Sequence, residues 1–358
     1  MKKVLFYIYS LNKGGAERVL LTLAEKLSNE YEIVILTDTF DEREYTLPEG
    51  IRRVDLQVYM DQMPHVKIGM IKRLLAIRKC CKKENPDKVI AFMISSAIRA
   101  VLANLFTPNR VIAAVRSNPY DEYSNWGKRL WLQSVFKFAH KIVCQTSYQA
   151  EYFCNGLQKK CVIIANPLFS DFIISPYEGE REKQIVSAGR LFDYKNHKLL
   201  IRAFAQIAEE FPDYSVTIFG EGPYRKELEE EIQALNLTGR VFLPGDSTQV
   251  AKDIYKAALF VLPSDTEGMP NALMEAMSLG LAVIATDCPC GGPKSLIQHG
   301  ENGMLCEVGN IEDMAKQMQA VLGNPELQNE LGKNALSIRE KCHVDKISEK
   351  WSRLIDGK

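Results

Sequence analysis

Several patterns that would assign the chain quickly are missing from it. Nine cysteines occur without a Cys-x-x-Cys pair or any metal-ligand spacing. No signal peptide precedes the first apolar run, so they read as reduced thiols of a cytosolic protein. Cys288-Pro289-Cys290 reads as a turn. No stretch approaches the ~18 consecutive apolar residues of a membrane span. The first strand-to-helix turn lacks Gly-x-Gly-x-x-Gly, which argues against an NAD(P) dehydrogenase. Asp-x-Asp is absent throughout, leaving no obvious carboxylate ligand set for a metal. There is no internal repeat, no low-complexity segment and no recognised nucleic-acid-binding motif.

What is present is ordinary for a soluble protein: 358 residues, 46% hydrophobic and 25% charged, enough for two domains of ~100–200 residues each. The net charge of zero hides an asymmetry, because residues 1–175 hold 25 Lys+Arg against 17 Asp+Glu and the remainder 20 against 28. The basic half suits an anionic surface or a phosphate-bearing acceptor; mutual attraction of the halves is the other reading.

Short β-branched runs alternate with amphipathic stretches, predicting parallel sheets with crossover helices. Strands are expected at 4–9, 32–37, 53–56, 88–92, 110–115 and 141–144, with helices at 15–28, 66–83 and 128–139 among others. A stretch without clear period between Pro167 and Pro176 reads as a linker. Strands resume at 184–188, 215–219, 241–243, 260–263, 282–285 and 303–306. The expectation is an α/β protein of two Rossmann-like, doubly wound domains facing across a cleft, with ligand at the carboxyl ends of the strands. The first domain spans 1–168, the second 182–340, and 341–358 forms a helix returning to the first.

Residues 264–275, Ser-Asp-Thr-Glu-Gly-Met-Pro-Asn-Ala-Leu-Met-Glu, follow a strand with a Gly/Pro turn and then a helix starting near Pro270 or Asn271. A helix start presents unpaired N–H groups and a positive dipole end, which suits a pyrophosphate. Glu267 on the loop and Glu275 about one turn into the helix can accept hydrogen bonds from two sets of sugar hydroxyls. With seven residues between them, in the context Glu267-Gly268-Met269-Pro270 and Glu275-Ala276-Met277, they resemble the paired-glutamate signature of family 4 retaining glycosyltransferases of the GT-B fold. That resemblance implies that Glu275 binds ribose hydroxyls. It also implies that Glu267, with adjacent backbone amides, addresses the transferred sugar, and that Gly268, Met269, Pro270, Asn271 and Leu273 belong to the donor site.

Further segments agree in order. Gly189-Arg190-Leu191 followed by Lys195-Asn196-His197 resembles another family element; Arg190 offers a planar donor fork and Lys195 a mobile charge for a departing pyrophosphate. His197 reads as structural. Gly220 and Leu243-Pro244 end strands that line the nucleobase slot in similar enzymes, and Ala165-Asn166-Pro167 resembles the hinge element. Gly14 and Gly15, in Gly14-Gly15-Ala16-Glu17-Arg18, would let backbone approach donor phosphate or acceptor closely. The resemblance implies retention and no metal, so leaving-group charge falls to Arg190, Lys195 and the helix start. No cofactor is expected beyond the UDP-sugar substrate.

On the acceptor side the chain reads Val115-Arg116-Ser117-Asn118-Pro119 where many relatives carry His or Asp. Arg116 and Asn118 could orient an acceptor phosphate or hydroxyl, or Ser-Asn-Pro could simply be a turn. At about 100° per residue, Lys67, Lys72, Arg78, Lys79, Lys82 and Lys83 fall within an arc of roughly 160°, with Ile68, Ile71 and Leu75 interleaved. A second cluster at 128–138 mixes cations and aromatics. Such faces suit anionic headgroups; a solvated helix face is the alternative. The placement resembles glycosyltransferases that extend polyprenyl-pyrophosphate-linked oligosaccharides, including N-acetylgalactosaminyltransferases, in which a basic helix holds the acceptor pyrophosphate. This makes Lys72, Lys79 and Lys82 acceptor-side candidates. The reading is a hexosyl or N-acetylhexosaminyl transferase acting from a UDP-sugar on a lipid-linked saccharide. It would be cytoplasmic and peripheral at the inner face of the cytoplasmic membrane. A sugar-nucleotide epimerase of the same fold and a non-catalytic sugar-nucleotide-binding scaffold are the alternatives.

Overall fold

Alternating apolar runs and amphipathic stretches become parallel strands with crossover helices in the computed structural model, which describes residues 1–41 and 44–357. The chain divides into two units: Met1–Pro167 with the chain from Val344 onward, and Leu168–His343.

The first unit is built on seven strands, β1 (Lys2–Ile8), β2 (Tyr31–Thr37), β3 (Arg52–Asp55), β4 (Lys88–Phe92), β5 (Arg110–Ala114), β6 (Lys141–Cys144) and β7 (Cys161–Ile163), in the order β3-β2-β1-β4-β5-β6-β7. All pairings are parallel; β1 and β4 run in register from Val4 opposite Lys88 to Tyr7 opposite Ala91. Val4 to Ile8 are buried because helices cover both faces of the sheet. The winding reverses beside β1, and that reversal opens a crevice at the carboxyl ends of β1 and β4.

Differences from the sequence reading have local causes. β7 was not expected, since a three-residue edge strand carries no period. The basic helix is Gly69–Glu84, not 66–83: Ile68 is an extended N-cap, so Lys67 lies outside the helix. The helix expected from 128 is Trp126–Phe136, started by Asn125, whose Oδ1 accepts from the Lys128 N–H at 2.8 Å.

The last helix, Val344–Asp356, packs Ile347, Trp351, Leu354 and Ile355 into the first unit. Trp351 is fully buried and stacks on Phe92, with ring centroids 6.0 Å apart. At ~25 cal/mol per Å² over the ~150–250 Å² that such a side chain buries, the contact contributes roughly 4–6 kcal/mol as an upper estimate. Ion pairs Lys26–Asp345 at 2.5 Å and Lys2–Asp356 at 2.7 Å flank it.

The second unit holds β8 (Glu182–Ala188), β9 (Ser215–Phe219), β10 (Val241–Gly245), β11 (Ala257–Leu262), β12 (Ala282–Thr286) and β13 (Met304–Cys306), all parallel, in the order β10-β9-β8-β11-β12-β13. Its two ends meet where the Leu168 N–H donates to the Cys342 carbonyl at 2.8 Å. Among the described residues no helix is long and apolar enough to cross a membrane.

Candidate active site

In the second unit the donor-side residues sit on loops that leave the carboxyl ends of β8 to β11. Three of these loops lie backbone against backbone. A Cβ at Gly220, whose φ is 138°, would fall 2.0 Å from the Gly189 carbonyl oxygen, and one at Gly222 would fall 2.3 Å from that of Leu191. Only glycine permits this approach. The Gly220 N–H donates to the Gly245 carbonyl at 2.8 Å, and Leu191 N–H to the Glu221 carbonyl at 2.9 Å. Leu243 is half-buried and Pro244 exposed. Arg225 holds this edge by donating to the Leu243 carbonyl at 3.1 Å.

The loop after β11 leads into the helix Asn271–Ser278. Pro270 is its extended N-cap, and the Pro270 side chain makes no cap hydrogen bond. Met269 and Leu273 are buried, so their backbone is what they can offer a ligand. Asn271 and Glu275 are half-buried. A second loop backs this one: a Cβ at Gly292 would lie 2.1 Å from the Gly268 carbonyl oxygen and 3.1 Å from Pro270 Cδ.

Lys195 and Glu267, assigned to separate tasks from sequence, meet. Glu267 Oε1 accepts from Lys195 Nζ at 2.6 Å and from Ser264 Oγ at 2.8 Å, with the two charged side chains 18% and 10% exposed. The pair forms because Asn196 takes a left-handed conformation, φ 46°, which ends the short turn carrying Lys195 and caps the helix His197–Ile207. Asn196 Nδ2 also donates to Asp265 Oδ1 at 2.7 Å, and the Asp265 N–H to the Tyr194 carbonyl at 2.9 Å. The two loops are thereby braced side chain to side chain and backbone to backbone. Arg190 is exposed; Nη2 donates to Tyr194 Oη at 3.0 Å and its guanidinium lies 5.0 Å from the Phe192 ring centroid. His197 is buried with Nδ1 3.5 Å from Ser187 Oγ, and burial, then the Lys195 charge, hold its pKa down at about 4.

In the first unit, Gly14 is the N-cap of the helix Gly15–Leu27 with an ordinary extended φ of −139°. A Cβ there would meet the Glu17 carboxylate at 2.4 Å. The loop is steadied by Glu44, which accepts from the Leu11 N–H at 3.1 Å and pairs with Arg53 at 2.6 Å.

Two of the acceptor-side candidates are buried. Asn118 is 5% exposed; Oδ1 accepts from the Tyr120 N–H at 3.0 Å and Nδ2 donates to Asp121 Oδ2 at 2.9 Å, the capped turn that was the alternative reading. Arg116 is 8% exposed and donates to Asn166 Oδ1 at 3.1 Å, so its guanidinium belongs to the interior. On the basic helix Lys72 is half-buried, Lys79 donates to Gln62 Oε1 at 2.6 Å, and Lys82 is exposed, beside exposed Ile71 and Leu75.

One cluster escaped the sequence reading. Asp38, just past β2, pairs through Oδ2 with Arg99 at 2.7 Å and Arg73 at 2.8 Å, while Oδ1 accepts from Tyr7 Oη at 2.6 Å. Two guanidinium groups against one carboxylate leave a net positive charge at the carboxyl end of β1 and β2. No motif announces it, because the partners come from four separate elements.

Two doubly wound parallel units, with a carboxylate-bearing loop leading into a helix at the strand ends, fit the GT-B fold of glycosyltransferases. Residues 13–169 match Glycosyltransferase Family 4 and residues 172–337 match Glycosyl transferases group 1, and the chain belongs to this glycosyltransferase family. It is 28% identical, over 99% of its length and 98% of the relative's, to a Campylobacter jejuni α-1,4-N-acetylgalactosaminyltransferase named for a diphospho-undecaprenol-linked saccharide. A second C. jejuni protein, N-acetylgalactosamine-N,N'-diacetylbacillosaminyl-diphospho-undecaprenol 4-α-N-acetylgalactosaminyltransferase, is 28% identical over 97% of each chain. Among solved structures, Anabaena HepE in complex with UDP and glucose superposes with a TM-score of 0.85 at 18% identity, over 100% of both chains.

Proposed function

We propose that this glycosyltransferase moves a hexosyl or N-acetylhexosaminyl group from a UDP-sugar to a lipid-linked saccharide, with retention of configuration and without a metal, in bacterial polysaccharide or glycan assembly. The observation that carries the reading is the junction of Lys195, Ser264 and Glu267 ahead of the helix bearing Glu275. Both hydrogen bonds to Glu267 land on Oε1, leaving Oε2 to accept from hydroxyls of the transferred sugar. The donor diphosphate would lie at the helix start, where N–H groups and the dipole favour negative charge, with Glu275 accepting from the ribose. Charge that develops on the departing diphosphate would be met by Arg190 and by Lys195, which can lean from Glu267 toward a phosphate oxygen without leaving the loop. The names of the Campylobacter relatives favour the lipid-linked acceptor, and the UDP in the HepE complex favours the donor. The exposed cations and apolar residues of Gly69–Glu84 would seat the protein peripherally on the inner face of the cytoplasmic membrane, next to such an acceptor.

Calorimetric titration of UDP-sugars into wild type and Glu275→Ala tests the donor site. The variant is expected to bind more weakly by roughly 1.5–3 kcal/mol, the range for hydrogen bonds to a charged group; equal affinity contradicts the ribose role. Transfer to a lipid-diphosphate saccharide should persist in EDTA, and loss restored only by Mg²⁺ or Mn²⁺ overturns metal independence. Conversion of the UDP-sugar with no acceptor present would instead identify an epimerase.

A further inference from the structure

The interior of the first unit contains a guanidinium that no carboxylate balances. Arg116 lies two residues beyond β5 and is nearly enclosed. Its guanidinium carbon stands 4.6 Å from the ring centroid of Phe92, at the end of β4, and 5.4 Å from that of Trp351, on the last helix. Nη1 donates to Asn166 Oδ1, an oxygen that also accepts from Gln145 Nε2 at 2.8 Å. The remaining donors have nothing to bond: Arg116 Nε and Nη2 and Trp351 Nε1 are buried without a partner. Among the described residues no Asp or Glu forms an ion pair with Arg116. Burial lowers its pKa to about 9, opposed only by Cys144, so the group stays charged at neutral pH.

Two aromatic faces offset part of the cost of burying that charge, but cation–π attraction is weaker than the desolvation it must answer. Water is a poor remedy. A water molecule would accept from these donors yet bring two hydrogens of its own, and Asn166 Oδ1 already serves two donors. Groups that only donate, around a fixed positive charge, call for a ligand that only accepts. We propose that Arg116 and Trp351 line a buried site for a small monovalent anion of the halide class. Asn166 lies just before the chain leaves the first unit, and Trp351 lies on the segment that re-enters it. An ion bound here would tie both passages to β4 and β5.

The test is thermal unfolding of the full chain in sodium chloride, sodium bromide and sodium gluconate at matched ionic strength, without nucleotide. Wild type is expected to show a saturable rise in melting temperature in both halides over gluconate. Arg116→Met should abolish the rise. Trp351→Phe keeps the stack but removes one donor, and should move half-saturation up by about tenfold. Identical melting of wild type in all three salts, or a halide-dependent rise that survives in Arg116→Met, overturns the site. Should Arg116→Met fail to fold, wild-type crystals soaked in bromide decide it: an anomalous peak within about 3.5 Å of Arg116 Nη2 and Trp351 Nε1 supports the site, and its absence refutes it.

Discussion

Replacing Glu267 by Gln keeps the side chain's shape and removes its charge, which isolates what the Lys195–Glu267 pair contributes. In the native arrangement Oε1 receives a charge-assisted bond from Lys195 and a second bond from Ser264. Charge-assisted bonds are worth ~1.5–3 kcal/mol and neutral ones ~0.5–1.5, so the substitution forfeits roughly 1 kcal/mol at each. Lys195, only 18% exposed, also loses its counter-charge. Breaking a fully buried pair costs ~3–5 kcal/mol, and partial exposure puts the expected loss lower, at about 2–3 kcal/mol. Unfolding in urea should register this for Glu267→Gln and similarly for Lys195→Met. In the double variant most of the loss should not recur, because each single change already removes the same interaction, giving a coupling of about 1–2 kcal/mol. Additivity within ~0.5 kcal/mol, the behaviour of independent sites, would refute the view that these residues act as one unit and return them to separate roles.

His197 should make the second unit acid-sensitive. Its folded pKa of about 4 lies below the ordinary 6.5, so the unfolded chain binds the proton first, and stability present above pH 6.5 is lost as pH falls toward 4. Between pH 7.5 and 4.5 the loss attributable to this group is about 2–3 kcal/mol, and His197→Gln should lose that much less over the same interval in urea titrations. Gly292→Ala should push the 268–270 loop off its place, since its Cβ would sit 2.1 Å from a backbone oxygen; UDP-sugar affinity is expected to fall at least tenfold, and unchanged affinity would dismiss the supporting role of that loop. The combined change of Lys72, Lys79 and Lys82 to Glu should reduce cosedimentation with anionic liposomes and transfer to a lipid-linked acceptor while sparing donor binding. Unaltered transfer would remove the basic helix from the acceptor side.

The parts of this protein that could be read before any coordinates are the ones whose physics is confined to a few neighbouring residues. Alternation of buried strands and amphipathic helices announced two doubly wound units, because each period is a local property of the chain. The Glu267-to-Glu275 segment was legible for the same reason: a turn and a helix start place Glu267 on the loop and Glu275 about one turn into the helix, whatever surrounds them. Helix starts were less secure. The helix after Glu267 began at Asn271, one of the two starts expected, but Lys67 and Ile68 fell outside theirs, because a cap depends on backbone angles that composition does not specify.

Contacts between distant segments were invisible. Lys195 and Glu267 are separated by 72 positions and Asp38 and Arg99 by 61, and nothing in either neighbourhood announces its partner. Arg116 shows the same limit most clearly. Beside Ser117 and Asn118 it read either as an acceptor-orienting group or as part of a turn, and the packing of Phe92 and Trp351 around it, the latter from the far end of the chain, was not announced. Residue order sets which groups are available and what each neighbourhood can form; which charges share an environment is settled by the packing of sheets and helices, because burial and dielectric belong to the assembled interior rather than to any single segment.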